Sequence, residues 1–409
     1  MKIRRSIIAM LLCIVLVLSA CSSKTGEKEQ KEEPVKTTED EADKEEKDEE
    51  KVYQEKLDAI TPSAYNNVDG IKLEKGAYIS VIGKCADGEF WKAVKEGAEQ
   101  AGKDINENLG YEGNDKVKIT YSGPSESENV DEQVNILDEE LARYPAAVAI
   151  SIADTQACGV QFDLASENNI PVVAFDSGSD YKGLMAMVST DNRAAAKEAA
   201  QHMSELLGEG GKVIILAHDS KSKTARIREK VFAKAIKKEY KNLSVDGVYR
   251  LDEMKKVVAD EVNAGVYSLD GKETSGEELS EEEKITEESV TKENIIDYIL
   301  KKNPDVKGCY TTNGETATAF VKGLDRAAID GVTVLGCDLG EEEKKAMEEG
   351  KIAGMALQNP FGMGYASVVA AARAALEMGN EAEIDTGYVW VTKDNLESEE
   401  IQKMLYNDL

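Results

Sequence analysis

Residues 78–105 read YISVIGKCADGEFWKAVKEGAEQAGKDI. Tyr78–Ile82 is an apolar run of strand length, and a turn containing Asp87 and Gly88 follows it. Val94, Ala98, Ala101 and Ile105 then recur at helical spacing. A strand-length run followed by a helical face predicts one βα unit. The chain repeats this unit. Strands are predicted over 117–121, 146–151 and 171–175, with helices over 128–144 and 157–168 between them. The rhythm then restarts with a helix over 192–207, for which Asp191 is a good N-cap. A strand over 213–216, a helix over 224–239 and a strand over 245–249 follow, with later strands over 308–312, 332–337, 352–358 and 388–391. Alternation of this kind predicts parallel sheets covered by helices on both faces. Two successive runs predict an α/β protein of two Rossmann-like lobes with a cleft between them.

One segment, at about 252–292, breaks the rhythm and reads as an insertion. Met254, Val257, Val258, Val262 and Val266 fit one helical face. The stretch from Asp270 to Glu293 is rich in Gly, Ser and acid, and its charge density predicts a solvated loop. A flap that docks a partner is the functional alternative.

The N-terminus is organised differently. Lys2, Arg4 and Arg5 precede an apolar run from Ile7 to about Ala20, which closes on Leu18-Ser19-Ala20-Cys21. A basic head and a short apolar core are those of an export signal rather than a spanning helix. The box before Cys21 resembles that of bacterial lipoproteins. Residues 1–21 are therefore expected to be a lipoprotein signal, with Cys21 lipidated and holding the protein at the membrane. Residues 22–58 are almost all charged or small and polar, and they are expected to form a disordered acidic tether.

Composition narrows the function. The 409 residues carry 79 acidic and 50 basic side chains, a formal net charge of −29, which argues against nucleic-acid binding. Two histidines, His202 and His218, exclude a His-rich metal site. No metal or cofactor is expected. There is no GxSxG, HExxH or glycine-rich phosphate loop, so an enzyme is not expected; Asp176 and Asp338 as a glycosidase pair is the nearest such reading. His218 follows a strand and could touch the cleft, though a role behind the ligand contacts or toward solvent is expected of it. Cys85, Cys158, Cys309 and Cys337 form no CxxC pair and read as buried thiols, with disulfide pairing left open.

In open α/β sheets ligands sit beyond the carboxyl ends of the strands. Phe90 and Trp91 open the first helix, and their rings suit the apolar face of a sugar. Asp176, Arg228, Asn313, Asp338 and Gln358 follow other strands or begin helices. Planar donors and acceptors of this kind can each grip two neighbouring hydroxyls, which is the chemistry of polyol recognition.

Several phrases in order resemble the type I periplasmic binding proteins, the ribose- and galactose-binding group that feeds sugar ABC importers. They are Glu89-Phe90-Trp91-Lys92-Ala93-Val94-Lys95-Glu96-Gly97-Ala98, Asn169-Ile170-Pro171-Val172-Val173-Ala174-Phe175-Asp176, Ser189-Thr190-Asp191-Asn192, Thr311-Thr312-Asn313-Gly314, Leu335-Gly336-Cys337-Asp338 and Val391-Thr392-Lys393-Asp394-Asn395. The resemblance runs from about Ala77 to Asn395. It implies parallel-sheet lobes joined by a three-strand hinge, one lobe from 76–190 plus 359–387 and the other from 191–358 plus 388–409. It implies that Phe90 and Trp91 stack on a sugar while Asp176, Arg228, Asn313, Asp338 and Gln358 bind its hydroxyls. Gly88-Glu89 stand where the ribose pattern has Asn-Pro, and Ser177 where it has Arg, which argues against ribose itself. No calcium loop is found. The expected function is an extracytoplasmic lipoprotein, a monomer on the cell membrane of a Gram-positive surface, that captures a monosaccharide or related polyol and delivers it to an ABC permease. The alternative is a lipoprotein that presents a bound sugar or signal molecule to a receptor kinase.

Overall fold

The computed structural model describes residues 53–406, apart from 273 and 275. The export signal, Cys21 and most of the expected tether lie outside the described residues. Among the described residues there are twelve strands: β1 Tyr78–Ile82, β2 Lys118–Ser122, β3 Ala147–Ile150, β4 Val172–Phe175, β5 Met187–Ser189, β6 Gly211–Ala217, β7 Leu243–Arg250, β8 Val306–Thr311, β9 Thr333–Cys337, β10 Gly354–Gln358, β11 Glu383–Asp385 and β12 Tyr388–Val391. They form two six-stranded sheets, ordered β11-β5-β4-β3-β1-β2 and β12-β10-β9-β8-β6-β7. Every pairing between strands is parallel except β10 with β12. The α/β reading with two lobes therefore holds. The chain crosses between the sheets three times, after β5, after β10 and between β11 and β12.

Helix packing explains how the first lobe is tied to the later crossing. The helix Glu89–Leu109 buries Val94, Gly97, Ala98, Ala101 and Ile105 against the helix Pro360–Ala375, whose residues share that core. A Cβ at Gly97 would lie 1.9 Å from the Phe361 carbonyl oxygen, and one at Gly364 would lie 1.9 Å from that of Val94. Backbone meets backbone here, which only glycine permits.

Three expectations need correction. Residues 53–58 are helical rather than tether, and Leu57, Ile60, Tyr65, Ile71 and Leu73 sit in the first lobe's core. Their apolar side chains are spaced among charges, so the stretch looked solvated in composition. The insertion does begin with a helix, Leu251–Asn263, that buries Met254, Val258 and Val262. Val257 is 40% exposed at the edge of that stripe, and Val266, 59% exposed, lies past the helix end. The acidic stretch is not solvated to its end: Val290 is buried, and the helix Lys292–Lys302 starts before Glu293. Asn263 pins the loop by bonding both the Ile285 amide and its carbonyl.

Candidate functional site

The ends of β1, β4, β6, β8, β9 and β10 converge on a cavity of about 740 Å³ between the lobes. Phe90, Trp91, Asp176, Arg228, Asn313, Asp338 and Gln358 all line it. Each reaches it for a local reason. Gly88, at φ 108, turns the chain into the helix that carries the two aromatics. Phe90 meets Trp91 edge-on at 5.0 Å, and Trp91 meets Phe175 at 6.5 Å. Asp176 and Asp338, directly after β4 and β9, both adopt left-handed backbone, φ 50 and 71. Non-glycine residues held there are strained, and such strain concentrates at functional sites. Asn313 caps the helix Gly314–Ala327 through the Thr316 amide.

The polar groups are bonded to one another. Arg228, buried, donates from Nε to Asn192 Oδ1 at 2.6 Å and from Nη1 to the Thr312 carbonyl at 2.7 Å. Gln358 Nε2 donates to Asp338 Oδ1. Asp176 Oδ2 accepts from Ser151 Oγ at 2.7 Å and lies 3.2 Å from Lys84 Nζ. Lys84 was not singled out in the sequence, yet it is buried and also meets Glu128 at 3.1 Å. Burial pulls its ammonium down, but Asp176, Glu128 and Asp219 together outweigh that and hold it above the ordinary lysine range. Burial likewise raises the Glu128 carboxyl, against the pull of Lys84.

His218 lines the cavity too. Thr312 Oγ1 accepts from its backbone N–H at 3.0 Å and meets ring Nδ1 at 2.8 Å. The hydroxyl can donate to Nδ1 or accept a second bond from it, so this contact fixes the ring's orientation. Burial, helped by Lys84 and Arg228, pushes the imidazole down to about 3, so it is neutral. Glu128, His218 and Asp219 bring ligand atoms within 4.8 Å of one another, but the Lys84 ammonium already supplies a cation against Glu128.

Several bonds join the lobes around the cavity. Ser177 Oγ and Ser222 Oγ are 3.3 Å apart, so the residue that replaces the arginine of the ribose pattern bridges the cleft. Lys223 Nζ donates to the Ser179 carbonyl at 2.8 Å, and Arg226 Nη1 to Thr155 Oγ1 at 3.3 Å. Glu89 Oε2 accepts from the Glu341 amide at 3.1 Å. Glu89 also departs from the ribose pattern, and its charge now faces the start of the helix Glu341–Glu348. Tyr406, which follows the last helix, completes the wall. Cys85, Cys158, Cys309 and Cys337 are all free, and the last three are buried.

This arrangement of two α/β lobes around a polar, aromatic-edged cavity agrees with comparisons to known proteins. A model of the periplasmic binding protein domain matches residues 79–381. The ribose import binding protein RbsB of Escherichia coli is 23% identical over 290 residues, 71% of this chain and 82% of its own. The protein of that name from Haemophilus influenzae is 24% identical over 285 residues, 70% and 81% of the two chains. Among solved structures, a carbohydrate transporter solute binding protein from Agrobacterium radiobacter, in complex with D-arabinose, is 25% identical with a TM-score of 0.63, covering 80% of this chain and 98% of its own. An ABC transporter solute binding protein from Agrobacterium vitis with bound D-fucose is 24% identical with a TM-score of 0.64, covering 81% and 100%. The chain belongs to the periplasmic binding protein family, and its architecture is that of type I. These relatives are binding proteins of transport systems, not enzymes.

Proposed function

We propose that this protein is the solute-binding lipoprotein of an ABC importer and that it captures a monosaccharide or related polyol between its lobes. One observation carries the reading. Asp176, Arg228, Asn313, Asp338 and Gln358, planar polar groups from both sheets' strand ends and adjoining helices, face one cavity with Phe90 and Trp91 at its edge. A pyranose or furanose ring offers the complement, an apolar face and a rim of hydroxyls. The three crossings between the sheets serve as a hinge for lobes 76–190 plus 359–387 and 191–358 plus 388–409. Ligand touching both lobes favours the closed form, and a permease selects that form. Cys21 holds the protein at the outer face of the membrane. Among the described residues no helix is long and apolar enough to cross a membrane, and the Cys21 lipid is the proposed anchor.

The test is thermal unfolding of the chain carrying Cys21→Ser, which removes the lipid, against D-arabinose, D-fucose, D-ribose, other pentoses and hexoses, polyols and nucleosides. A ligand at 100 times its Kd should add about 2.7 kcal/mol of stability. A shift with one sugar class is the expected result, whereas flat midpoints across the sugars and polyols sink the proposal. Membrane fractionation checks the anchor in the same strains. The native chain should pellet with membranes and the Cys21→Ser chain should not; equal pelleting removes Cys21 from the account.

A further inference from the structure

The family match ends at residue 381, yet the cavity has a wall from beyond it. The chain after β12 forms a short helix, Glu399–Met404, and then places Tyr406 against the cavity. Tyr406 is 6% exposed, and its ring stands edge-on to Phe90 at 5.9 Å. Phe90 belongs to the first lobe's helix, whereas Tyr406 packs with the second lobe's core. The contact therefore spans the cleft at the aromatic edge.

The Tyr406 hydroxyl is buried and has no hydrogen-bond partner among the described residues. Around it stand Asp338, the Gln358 backbone N–H, which can only donate, Arg228 and the Cys337 thiol, and none of them accepts a hydrogen bond from it. Its own proton thus lacks an acceptor. A buried hydroxyl in that state is unfavourable unless something else supplies an oxygen. The tail is also held deliberately in place. Lys56 Nζ donates to the Leu405 carbonyl at 3.0 Å, and Lys403 pairs with Glu55 at 2.7 Å. Lys56 is itself fixed where the chain crosses between sheets, because Asn359 Nδ2 donates to its carbonyl at 2.7 Å.

We infer that the C-terminal tail is part of the ligand site: Tyr406 donates its hydroxyl proton to a hydroxyl oxygen of the bound sugar or polyol, and Lys56 positions it by holding Leu405. This rests on the proposed sugar-binding function. It also makes the tail a determinant of which hydroxyl pattern fits, since the donor stands beside Asp338 and Gln358.

The experiment compares Tyr406→Phe, Lys56→Met and their Cys21→Ser parent. Two readouts are taken: the thermal midpoint without sugar, and the Kd for whichever of D-arabinose, D-fucose, D-ribose and D-galactose binds the parent most tightly. Tyr406→Phe should keep or raise the sugar-free midpoint and weaken binding about fivefold, the loss of one neutral hydrogen bond. Lys56→Met should weaken binding in the same direction while Tyr406 is unchanged. Unchanged affinity in Tyr406→Phe overturns the inference, and so does a lowered sugar-free midpoint, which marks a structural hydroxyl. A parent that binds none of the panel overturns the proposed function and this inference with it. A parent that binds while Tyr406→Phe matches it overturns this inference alone.

Discussion

Replacing Arg228 by Met is expected to cost the second lobe about 3–5 kcal/mol of stability, the usual consequence of removing one partner from a buried charged network. The side chain is 3% exposed. Its Nε and Nη1 satisfy Asn192 Oδ1 and the Thr312 carbonyl, and its charge offsets the desolvated Asp338 carboxyl. Met fills much of the volume but leaves both acceptors without a donor and Asp338 without its cation. Arg228 also joins three elements. It leaves the helix Lys223–Glu239, reaches the start of the helix Asn192–Leu206 and reaches the residue after β8. Arg228→Lys should recover only part of the loss, because an ammonium cannot serve two acceptors in the guanidinium's fixed fork. Urea unfolding of the Cys21→Ser chain is the measurement. A midpoint unchanged in Arg228→Met rejects the account of this network, and sugar affinity should disappear with the stability.

Much of this site is legible in the amino-acid sequence because topology does the sorting. Asp176, Asp338 and Gln358 follow or end apolar runs that could only be buried strands, and parallel strands deliver such residues to one end of a sheet. Asn313 is marked by its place between β8 and a helix. Lys84 obeys the same rule, two residues past β1, but a lysine in a Gly- and Asp-containing turn looks like surface. What buries it is the meeting of Glu128 and Asp176, which are distant in sequence. Tyr406 had no signal at all, since a six-residue helix after the last strand has too few turns to show a periodic face. β5 and β11, three residues each, are too short for alternation to register. They pair with each other at one edge of the first sheet. Leu57 and Ile60 were hidden by their charged neighbours, and Thr61 pairing with Asp385 shows that β11 helps anchor that segment.

Asp338→Gly should separate binding from folding. Asp338 holds a left-handed backbone at φ 71, a conformation that costs a side-chain-bearing residue and costs glycine nothing. Desolvation raises its carboxyl above the usual 3.8, despite the Arg228 charge and the Gln358 hydrogen bond. A carboxyl raised in the folded state binds its proton more tightly there than in the unfolded chain. Its contribution to stability is therefore greatest at low pH and declines as pH rises from about 3.8 through the raised value. Wherever it is ionised, Asp338 is a burden on the fold, retained beside the cavity where a carboxylate can accept from two sugar hydroxyls. Removing it should cost the sugar-free protein less than Arg228→Met does, because relief of the left-handed strain and of the desolvated carboxyl offsets part of the cost of the cation left at Arg228. It should also flatten the parent's decline in stability above pH 3.8. Affinity for the sugar that binds the parent should fall about 100-fold, the loss of charge-assisted hydrogen bonds at 1.5–3 kcal/mol each. Calorimetric titration reads the affinity, and urea unfolding between pH 3 and pH 7 reads the stability. Retained affinity removes Asp338 from the site. Lost folding at pH 7 makes it a structural residue instead, because a carboxylate that served only the ligand would not be missed by the empty protein.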